Sequence, residues 1–237
     1  MPRGRRTAVT LPTPQEEDRN ARTTRGRKRP ASTALTLEDS VDERMLQNEA
    51  DVWILGDSIP YWAGNYAKNA AKENLGLKDV SIAWWAERGL RWGGFRRLIE
   101  MQVLLSFPPS IIFIHLGGND LVSVNTVQLR LLIEQEIIYL REAFPHTVII
   151  WVDILQRQNW SGAIRGYRPI EMKRKRLNRL ARKIVTSSGL SDIIIPDIDA
   201  ATAFFRDDGV HLNSVGLEFY LDYIKDAIVK HLGIRHV

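Results

Sequence analysis

The sequence predicts an α/β protein built on a parallel sheet with helices on both faces. Five short apolar runs alternate with five longer amphipathic segments between residues 52 and 232. Most of the runs are apolar throughout, which is typical of strands that are covered on both faces. Repeated β-α alternation favours parallel strands joined by right-handed crossovers. In such a sheet, ligands bind at the carboxyl ends of the strands, so candidate functional residues are sought there.

The predicted strands are the apolar runs, and the predicted helices are the segments between them. The runs lie at 52–56, 80–84, 110–118, 147–155 and 192–196, and only the run at 80–84 is not near-continuously apolar. Helices are predicted at 60–75, 94–106, 123–143, 169–187 and 214–232. In the third helix, apolar residues recur every three or four positions and form one apolar face; they are Leu129, Ile133, Ile137 and Leu140.

Length and composition predict one folded domain that follows a tail. The chain has 237 residues, of which 44% are hydrophobic and 26% charged, as in a soluble protein with a sizeable core. Residues 1–48 are rich in Arg, Thr, Pro and acids and lack periodic apolar residues, so we expect a disordered basic tail there. The folded domain is predicted at 49–237.

Composition also excludes several classes of function. The chain has no cysteine, so it has no disulfide, no thiolate nucleophile and no metal site with cysteine ligands. No apolar stretch approaches the roughly 18 residues that cross a bilayer, and the N-terminus lacks the apolar region of a signal peptide. We therefore expect an intracellular protein, cytoplasmic or nuclear, without a transmembrane segment.

The first strand ends in Gly56-Asp57-Ser58-Ile59-Pro60, which predicts a turn into a helix. Gly56 permits a sharp turn and Pro60 suits the first position of a helix. Ser58 would then lie at a helix N-terminus, where its free N–H and the helix dipole favour a developing oxyanion. Alternatively, Ser58 simply caps the helix.

Two further loops at the same sheet edge contain hydrogen-bond donors. The third strand ends in Gly117-Gly118-Asn119-Asp120, in which Asn119 offers a side-chain amide. After the second strand, Gly89 could present its backbone N–H without steric hindrance. The alternatives are an Asx-turn at Asn119 and an ordinary turn glycine at position 89.

A general base is predicted just before the last helix. Asp208 precedes His211 by three residues, with Gly209 between them. A carboxylate at this spacing can accept the imidazole N–H and fix its tautomer, which leaves the other ring nitrogen for a nucleophile. The alternative is a surface loop in which Asn213 or Ser214 caps the helix. Together the four loops supply a nucleophile, a base, its orienting carboxylate and oxyanion donors.

These motifs resemble those of the SGNH hydrolases, also called GDSL-type esterases and lipases. GDSI, a glycine after the second strand, GGND and DGVHLN follow one another in the family's order across residues 52–232. The resemblance implies a three-layer, flavodoxin-like α/β/α sandwich with a five-stranded parallel sheet. It also implies a serine esterase that acts on small-molecule or lipid carboxylic esters through an acyl-enzyme, with no metal and no organic cofactor.

Carried over residue by residue, the resemblance implies Ser58 as the nucleophile, His211 as the base and Asp208 as its orienting residue. The implied oxyanion hole consists of the Ser58 and Gly89 N–H groups and the Asn119 amide. The second motif departs from the family pattern, because an asparagine two positions before its glycine and a glycine three positions after it are replaced by Glu87 and Trp92. We expect this departure to bear on the shape of the loop and the choice of substrate more than on the role of Gly89.

Three segments, VWILGDSIPYWA, ERGLRWGG and IHLGGNDL, also resemble SGNH domains of vertebrate retroelement-derived proteins. This narrower resemblance implies an alternative function, namely a weak or inactive hydrolase scaffold that binds nucleic acid. Residues 165–183 hold nine basic residues and one acid on a predicted helix, and 25–30 form a basic RGRKRP motif. A solvated basic face is the usual outcome for such a helix, and contact with nucleic acid or anionic lipid is the alternative. The basic motif could be a nuclear address or an arm that binds nucleic acid, although basic tails are common.

The remaining polar and aromatic residues have open interpretations. His115 lies on the third strand, which favours a buried core histidine. Asp153 and Arg157 follow the fourth strand and could contact substrate or pair with each other. Six tryptophans near strand ends could line an acyl pocket, although core packing is favoured for most of them; they are Trp62, Trp84, Trp85, Trp92, Trp151 and Trp160.

Overall fold

A computed structural model describes residues 49–163 and 166–234. The predicted tail at 1–48, including the basic motif at 25–30, lies outside the described residues. The strands are β1 (Val52–Gly56), β2 (Ile82–Ala86), β3 (Ile111–His115), β4 (Val148–Val152) and β5 (Ser191–Ile194). The helices are α1 (Ser58–Asn69), α2 (Trp92–Leu105), α3 (Thr126–Ala143), α4 (Tyr167–Ser187) and α5 (Ser214–Leu232). Within the described ranges, no helix is both long and apolar enough to cross a membrane.

The five strands form one parallel sheet in the order β2-β1-β3-β4-β5. This is the flavodoxin-like order, so the predicted fold class is confirmed. The chain runs outward from β1 to β2 and then crosses back to β3 on the other side of β1. The connections that leave β1 and β3 therefore diverge, and a crevice opens between the carboxyl ends of these two strands.

Each face of the sheet has its own hydrophobic core. Along β1, Val52 and Ile54 pack on one face under α1 and α5, whereas Trp53 and Leu55 pack on the other under α2, α3 and α4. Because both faces are covered, β1 is buried along its whole length, as its unbroken apolar sequence predicts. The middle strands are thus rigid supports for the loops at their carboxyl ends.

Most element boundaries differ from the prediction by one to three residues, and the differences at β2 and at the end of α1 have identifiable causes. β2 lies two residues later than the predicted 80–84. It is an edge strand whose residues are only half-buried, so its sequence lacks the continuous apolar run that marks a buried strand. α1 ends at Asn69 rather than at residue 75. Ala71 adopts a left-handed φ of 54°, and the Lys72 N–H donates to the Ala67 carbonyl at 2.8 Å, which closes the helix C-terminus.

Candidate active site

Ser58 is the first residue of α1, in the crevice between β1 and β3. The alternative that Ser58 caps this helix is wrong, because Asp57 is the capping residue and its Oδ1 accepts the Ile59 N–H at 3.1 Å. The Ser58 hydroxyl is therefore available for another partner. The Ser58 N–H is also among the first N–H groups of the helix, which have no intrahelical acceptor.

Gly56 allows β1 and β3 to approach each other closely just before Ser58. A Cβ at Gly56 would overlap the carbonyl group of His115, which faces it across the two strands. The glycine is thus needed for strand contact rather than for the predicted sharp turn. Pro60 likewise occupies the third helical position rather than the predicted first. Any larger residue at position 56 would displace the end of β1, and Ser58 with it.

His211 reaches Ser58 from the loop that precedes α5. Its Nε2 lies 3.1 Å from Ser58 Oγ, and its Nδ1 lies 2.7 Å from Asp208 Oδ2. The Oδ1 atom of Asp208 accepts the N–H groups of Val210 and His211 at 2.8 and 2.9 Å. This turn requires a left-handed residue, and Gly209 supplies it with a φ of 66°. Three side chains that the sequence analysis predicted to act together therefore form one hydrogen-bonded chain.

The carboxylate of Asp208 is held in its charged form. Partial desolvation raises its pKa, but the backbone and ring N–H groups of His211 and the N–H of Val210 outweigh this effect and bring the pKa to about 2. An ionised Asp208 accepts the Nδ1–H of His211, so Nε2 is left unprotonated toward Ser58. Electrostatics thus favour the tautomer in which His211 can accept the Ser58 proton.

Contacts from three directions hold the His211 loop in place. The Gly209 carbonyl accepts the N–H groups of Gln158 and Asn159 at 2.8 and 3.0 Å, which joins the loop to the segment after β4. Asn213 caps α5 by accepting the Gly216 N–H at 3.0 Å. The Trp62 ring meets the imidazole of His211 edge-on, with 6.4 Å between the ring centroids. The imidazole is consequently positioned before any ligand binds.

The predicted oxyanion donors lie along the same crevice. Gly89 has a left-handed φ of 77°, and among the described residues its N–H has no acceptor. The Asn119 side-chain amide donates one hydrogen to the Leu90 carbonyl at 3.1 Å, which leaves its second hydrogen free to donate. This bond also ties the Asn119 loop to the Gly89 loop. The Asx-turn alternative for Asn119 is not the arrangement found.

These loops enclose a cavity of about 650 Å³. The cavity wall contains every residue predicted for nucleophile, base and oxyanion donor, whereas Asp208 lies behind His211. The volume is in the range of small-molecule sites. The remaining wall residues are Arg88, Arg91, Gly118, Val122, Arg157, Asn159, Trp160, Ser161 and Val210.

Arg157 belongs to this cavity, but it does not pair with Asp153. Asp153 instead forms an ion pair with Arg182 of α4 and accepts the Trp151 indole N–H at 3.1 Å. Arg157 faces the buried carboxylate of Asp57 at 3.8 Å. The ion pair between residues 153 and 157, one of the two alternatives predicted from the sequence, is therefore wrong, and contact between these residues and substrate stays a prediction.

Asp120 has a structural role that its sequence motif did not predict. It is buried, and its Oδ2 accepts the Trp92 N–H at the start of α2 at 3.3 Å, which fixes the loop after β3 to that helix. Burial raises the pKa of Asp120 to about 6, against the opposing effect of this hydrogen bond. The hydrogen bond joins residues 28 positions apart, so no local sequence pattern could predict it. The position of Asp120 in the GGND motif was the sole indication that this residue has a role.

His115 and most of the tryptophans belong to the core. His115 is buried and pairs its Nδ1 with the Tyr220 hydroxyl at 3.2 Å, as a core histidine should. Trp92 and Trp151 stack on each other in the interior. Of the six tryptophans, Trp160 lines the cavity and Trp62 contacts His211. Core packing is thus the main use of these residues.

The basic helix is α4, which begins at Tyr167, while Arg165 lies outside the described residues. Three of its basic side chains bind neighbouring groups: Lys173 binds the Leu121 and Val124 carbonyls, Arg174 pairs with Glu171, and Arg182 pairs with Asp153. Five others are exposed, namely Arg168, Lys175, Arg176, Arg179 and Lys183.

In the part of the chain that the structure describes, no three His, Asp or Glu side chains form a group that could hold a metal ion.

The comparison with solved structures finds GDSL-type enzymes. A GDSL-like lipase from Bacteroides thetaiotaomicron is 16% identical, with a TM-score of 0.58 over 81% of this chain and 95% of its own. A psychrotrophic esterase from Pseudoalteromonas sp. is 17% identical, with a TM-score of 0.59 over 78% of this chain and 100% of its own. A lipase/acylhydrolase from Enterococcus faecalis is 19% identical, with a TM-score of 0.58 over 76% of this chain and 95% of its own.

No family model matches the sequence, and the search of curated proteins finds no match either. The similarity to solved structures is therefore carried by the fold, at 16%, 17% and 19% identity for these three neighbours. The five-stranded parallel sheet and its order agree with that similarity. The resemblance read from the sequence motifs is thus confirmed for the fold: this chain has the α/β fold of the GDSL-type, or SGNH, hydrolases.

Proposed function

We propose that this protein is a serine esterase that hydrolyses carboxylic esters through an acyl-enzyme intermediate. The observation that carries the proposal is the hydrogen-bonded chain from Ser58 Oγ through His211 to Asp208, with distances of 3.1 and 2.7 Å. It supports this function because the serine opens onto a cavity of substrate size. The esterase and lipase neighbours, which share the fold, support the same reaction class.

In the proposed first step, the Ser58 Oγ attacks the ester carbonyl carbon while its proton passes to His211 Nε2. Asp208 stabilises the imidazolium that results, because its carboxylate accepts the Nδ1–H. The carbonyl oxygen becomes an oxyanion, and the N–H groups of Ser58 and Gly89 together with the Asn119 amide would donate to it. His211 then returns the proton to the departing alcohol, which leaves the acyl group on Ser58.

In the second step, water attacks the acyl-Ser58 carbonyl carbon and gives a proton to His211 Nε2. The same three donors would hold the second oxyanion. The tetrahedral species collapses, Ser58 Oγ recovers the proton from His211, and the carboxylic acid leaves. In each step His211 first accepts one proton and then returns one, so the site ends the cycle in its starting protonation state.

The test is hydrolysis of a p-nitrophenyl ester series from acetate to octanoate by the purified protein and by Ser58→Ala. The loss of the nucleophile should lower kcat by about 10⁴ to 10⁶. Ser187→Ala is the matched control, because Ser187 is exposed at the C-terminal end of α4, remote from the carboxyl ends of the strands. Equal rates for the wild type and Ser58→Ala would refute the proposal.

A second candidate function, which we propose as the alternative, is nucleic-acid binding by a weak hydrolase scaffold. The observation that favours it is the group of five exposed basic side chains on α4. Such binding would weaken steeply as salt rises, because bound cations are released from the nucleic acid. Fluorescence anisotropy with labelled RNA and DNA between 50 and 200 mM salt tests this proposal. Salt-insensitive or absent binding would refute it.

A further inference from the structure

We propose that the ester hydrolysed at this site carries an anionic group, a carboxylate or a phosphate, which is bound by the arginines of the cavity wall. This inference rests on the proposed esterase function and names the substrate class of the same site. The arginines are Arg88, Arg91 and Arg157, and they line the cavity together with Ser58.

The described wall of the cavity is cationic. Three of its residues are arginines, and none is an aspartate or a glutamate. The nearby carboxylates are already engaged: Asp208 binds His211, and Asp57 is fully buried below the wall, where it caps α1 and faces Arg157. A ligand inside this cavity therefore meets guanidinium groups and no wall carboxylate, which favours an anion.

Arg157 is the most informative of the three, because its guanidinium is buried without complete compensation. Only 8% of the residue is exposed. Its carboxylate neighbour, Asp57 Oδ2, is 3.8 Å from Nη2, beyond normal hydrogen-bond length, and among the described residues the Arg157 side chain donates no hydrogen bond. Burial lowers the pKa of Arg157, although Asp57 and Asp208 oppose that effect. A buried cation with unused donors favours an anionic partner.

The surroundings of Arg157 hold its guanidinium in the cavity. Its Cζ lies over the Trp160 ring at 4.9 Å from the centroid, and Trp160 is itself fixed by an indole hydrogen bond to Glu171 at 2.9 Å. Gly118 also lies against Arg157, and a Cβ at this position would overlap the guanidinium. The glycine before Asn119 thus makes room for this cation beside the predicted oxyanion donor.

Arg88 and Arg91 extend the positive charge to the rim of the cavity. Both are exposed, and within the described residues neither forms an ion pair with a carboxylate. Arg88 lies over Trp62 at 5.5 Å, and Arg91 donates to the Ser123 hydroxyl at 3.2 Å. Bidentate binding of carboxylate and phosphate oxygens is the contact for which guanidinium groups are best suited.

The test compares matched anionic and neutral esters. On the alcohol side, the probes are the acetyl esters of 4-hydroxybenzoate, 4-hydroxybenzamide and 4-hydroxyphenyl phosphate. On the acyl side, they are mono-p-nitrophenyl adipate and its methyl ester. Each kcat/KM is divided by the uncatalysed rate of the same ester, so that intrinsic reactivity cancels. Preference for the benzoate or the phosphate probe distinguishes the two anions.

We expect an anionic probe to be preferred at least tenfold over its neutral counterpart. Arg157→Gln should lower that preference by about 10- to 100-fold, because this is the range of affinity that one hydrogen bond to a charged group contributes. Arg157→Gln leaves Asp57 buried without its cation and could unfold the protein. The exposed pair Arg88→Gln and Arg91→Gln is therefore a second variant, which should also lower the preference. Arg97→Gln, exposed on α2, is the control for the change in charge.

Two results would overturn the inference and leave the esterase proposal standing. One is Ser58-dependent hydrolysis with no preference for any anionic probe. The other is an equal loss on anionic and neutral probes in Arg157→Gln and in the rim variant, which would assign these arginines a role common to all esters. If no probe shows Ser58-dependent hydrolysis, the proposed function itself fails, and the inference fails with it.

Discussion

Replacing Asp208 by asparagine tests whether the carboxylate sets the tautomer of His211. Asp208 Oδ1 accepts two backbone N–H groups, from Val210 and His211, and Oδ2 accepts the ring Nδ1–H. An asparagine has one oxygen, and the two backbone donors compete for it. Its NH₂ group would then face Nδ1, which must become an acceptor, and the ring proton would move to Nε2.

With the proton on Nε2, His211 cannot accept the Ser58 proton. The expected loss in kcat is about 10⁴, the size seen when a triad carboxylate is replaced by its amide, which corresponds to about 5 kcal/mol of transition-state stabilisation. The assay is kcat for p-nitrophenyl acetate, with the melting temperature measured in parallel to show that the variant is folded. The backbone hydrogen bonds persist through the amide oxygen, so we expect a folded variant.

Asp207→Asn is the matched control, because Asp207 is the adjacent residue, is exposed and undergoes the same change in charge. Its kcat should stay within about threefold of the wild type, since a surface charge here has little influence on the reaction. A kcat for Asp208→Asn within tenfold of the wild type would refute the tautomer reasoning. So would an equal loss in Asp207→Asn.

Two further predictions concern His115 and Asn119. Burial lowers the pKa of His115 to about 4 from 6.5, so the unfolded state takes up the proton first as the pH falls, and stability is lost between pH 6.5 and 4. Urea unfolding should therefore show that the stability advantage of the wild type over His115→Gln shrinks by about 3 kcal/mol from pH 7 to pH 4; a difference that does not change with pH would contradict this. Asn119→Ala should lower kcat by about 10² to 10³ through the loss of one oxyanion donor, whereas an unchanged kcat would remove Asn119 from that role.

The sequence predicted the central part of the fold better than its edges. β1 and β3 are buried on both faces, so burial leaves an unbroken apolar run that marks their position. β2 is a half-exposed edge strand, and its weaker pattern led to a displacement of two residues. The end of α1 was missed because Ala71 takes the left-handed position where a glycine is the usual signal.

The sequence located the residues of the candidate site but missed their surroundings. Ser58, Asn119 and His211 follow or precede predicted elements, and the fold brings such positions to one edge of the sheet. The pairing of Arg157 with Asp57 joins residues far apart in the chain, so proximity in sequence favoured the wrong partner, Asp153. Contacts of this kind depend on which loops the fold brings together, so they cannot be predicted from a local sequence pattern.

The most direct test of the central claim is covalent labelling of the proposed nucleophile. A fluorophosphonate reacts with an activated serine when the Oγ attacks phosphorus and fluoride leaves, which produces a stable adduct. The measurement is mass spectrometry of the labelled and digested protein, with Ser58→Ala treated in parallel. We expect one adduct on the peptide that contains Ser58 and none in Ser58→Ala. An unlabelled wild-type protein, or the same adduct in both proteins, would show that Ser58 is not an activated nucleophile.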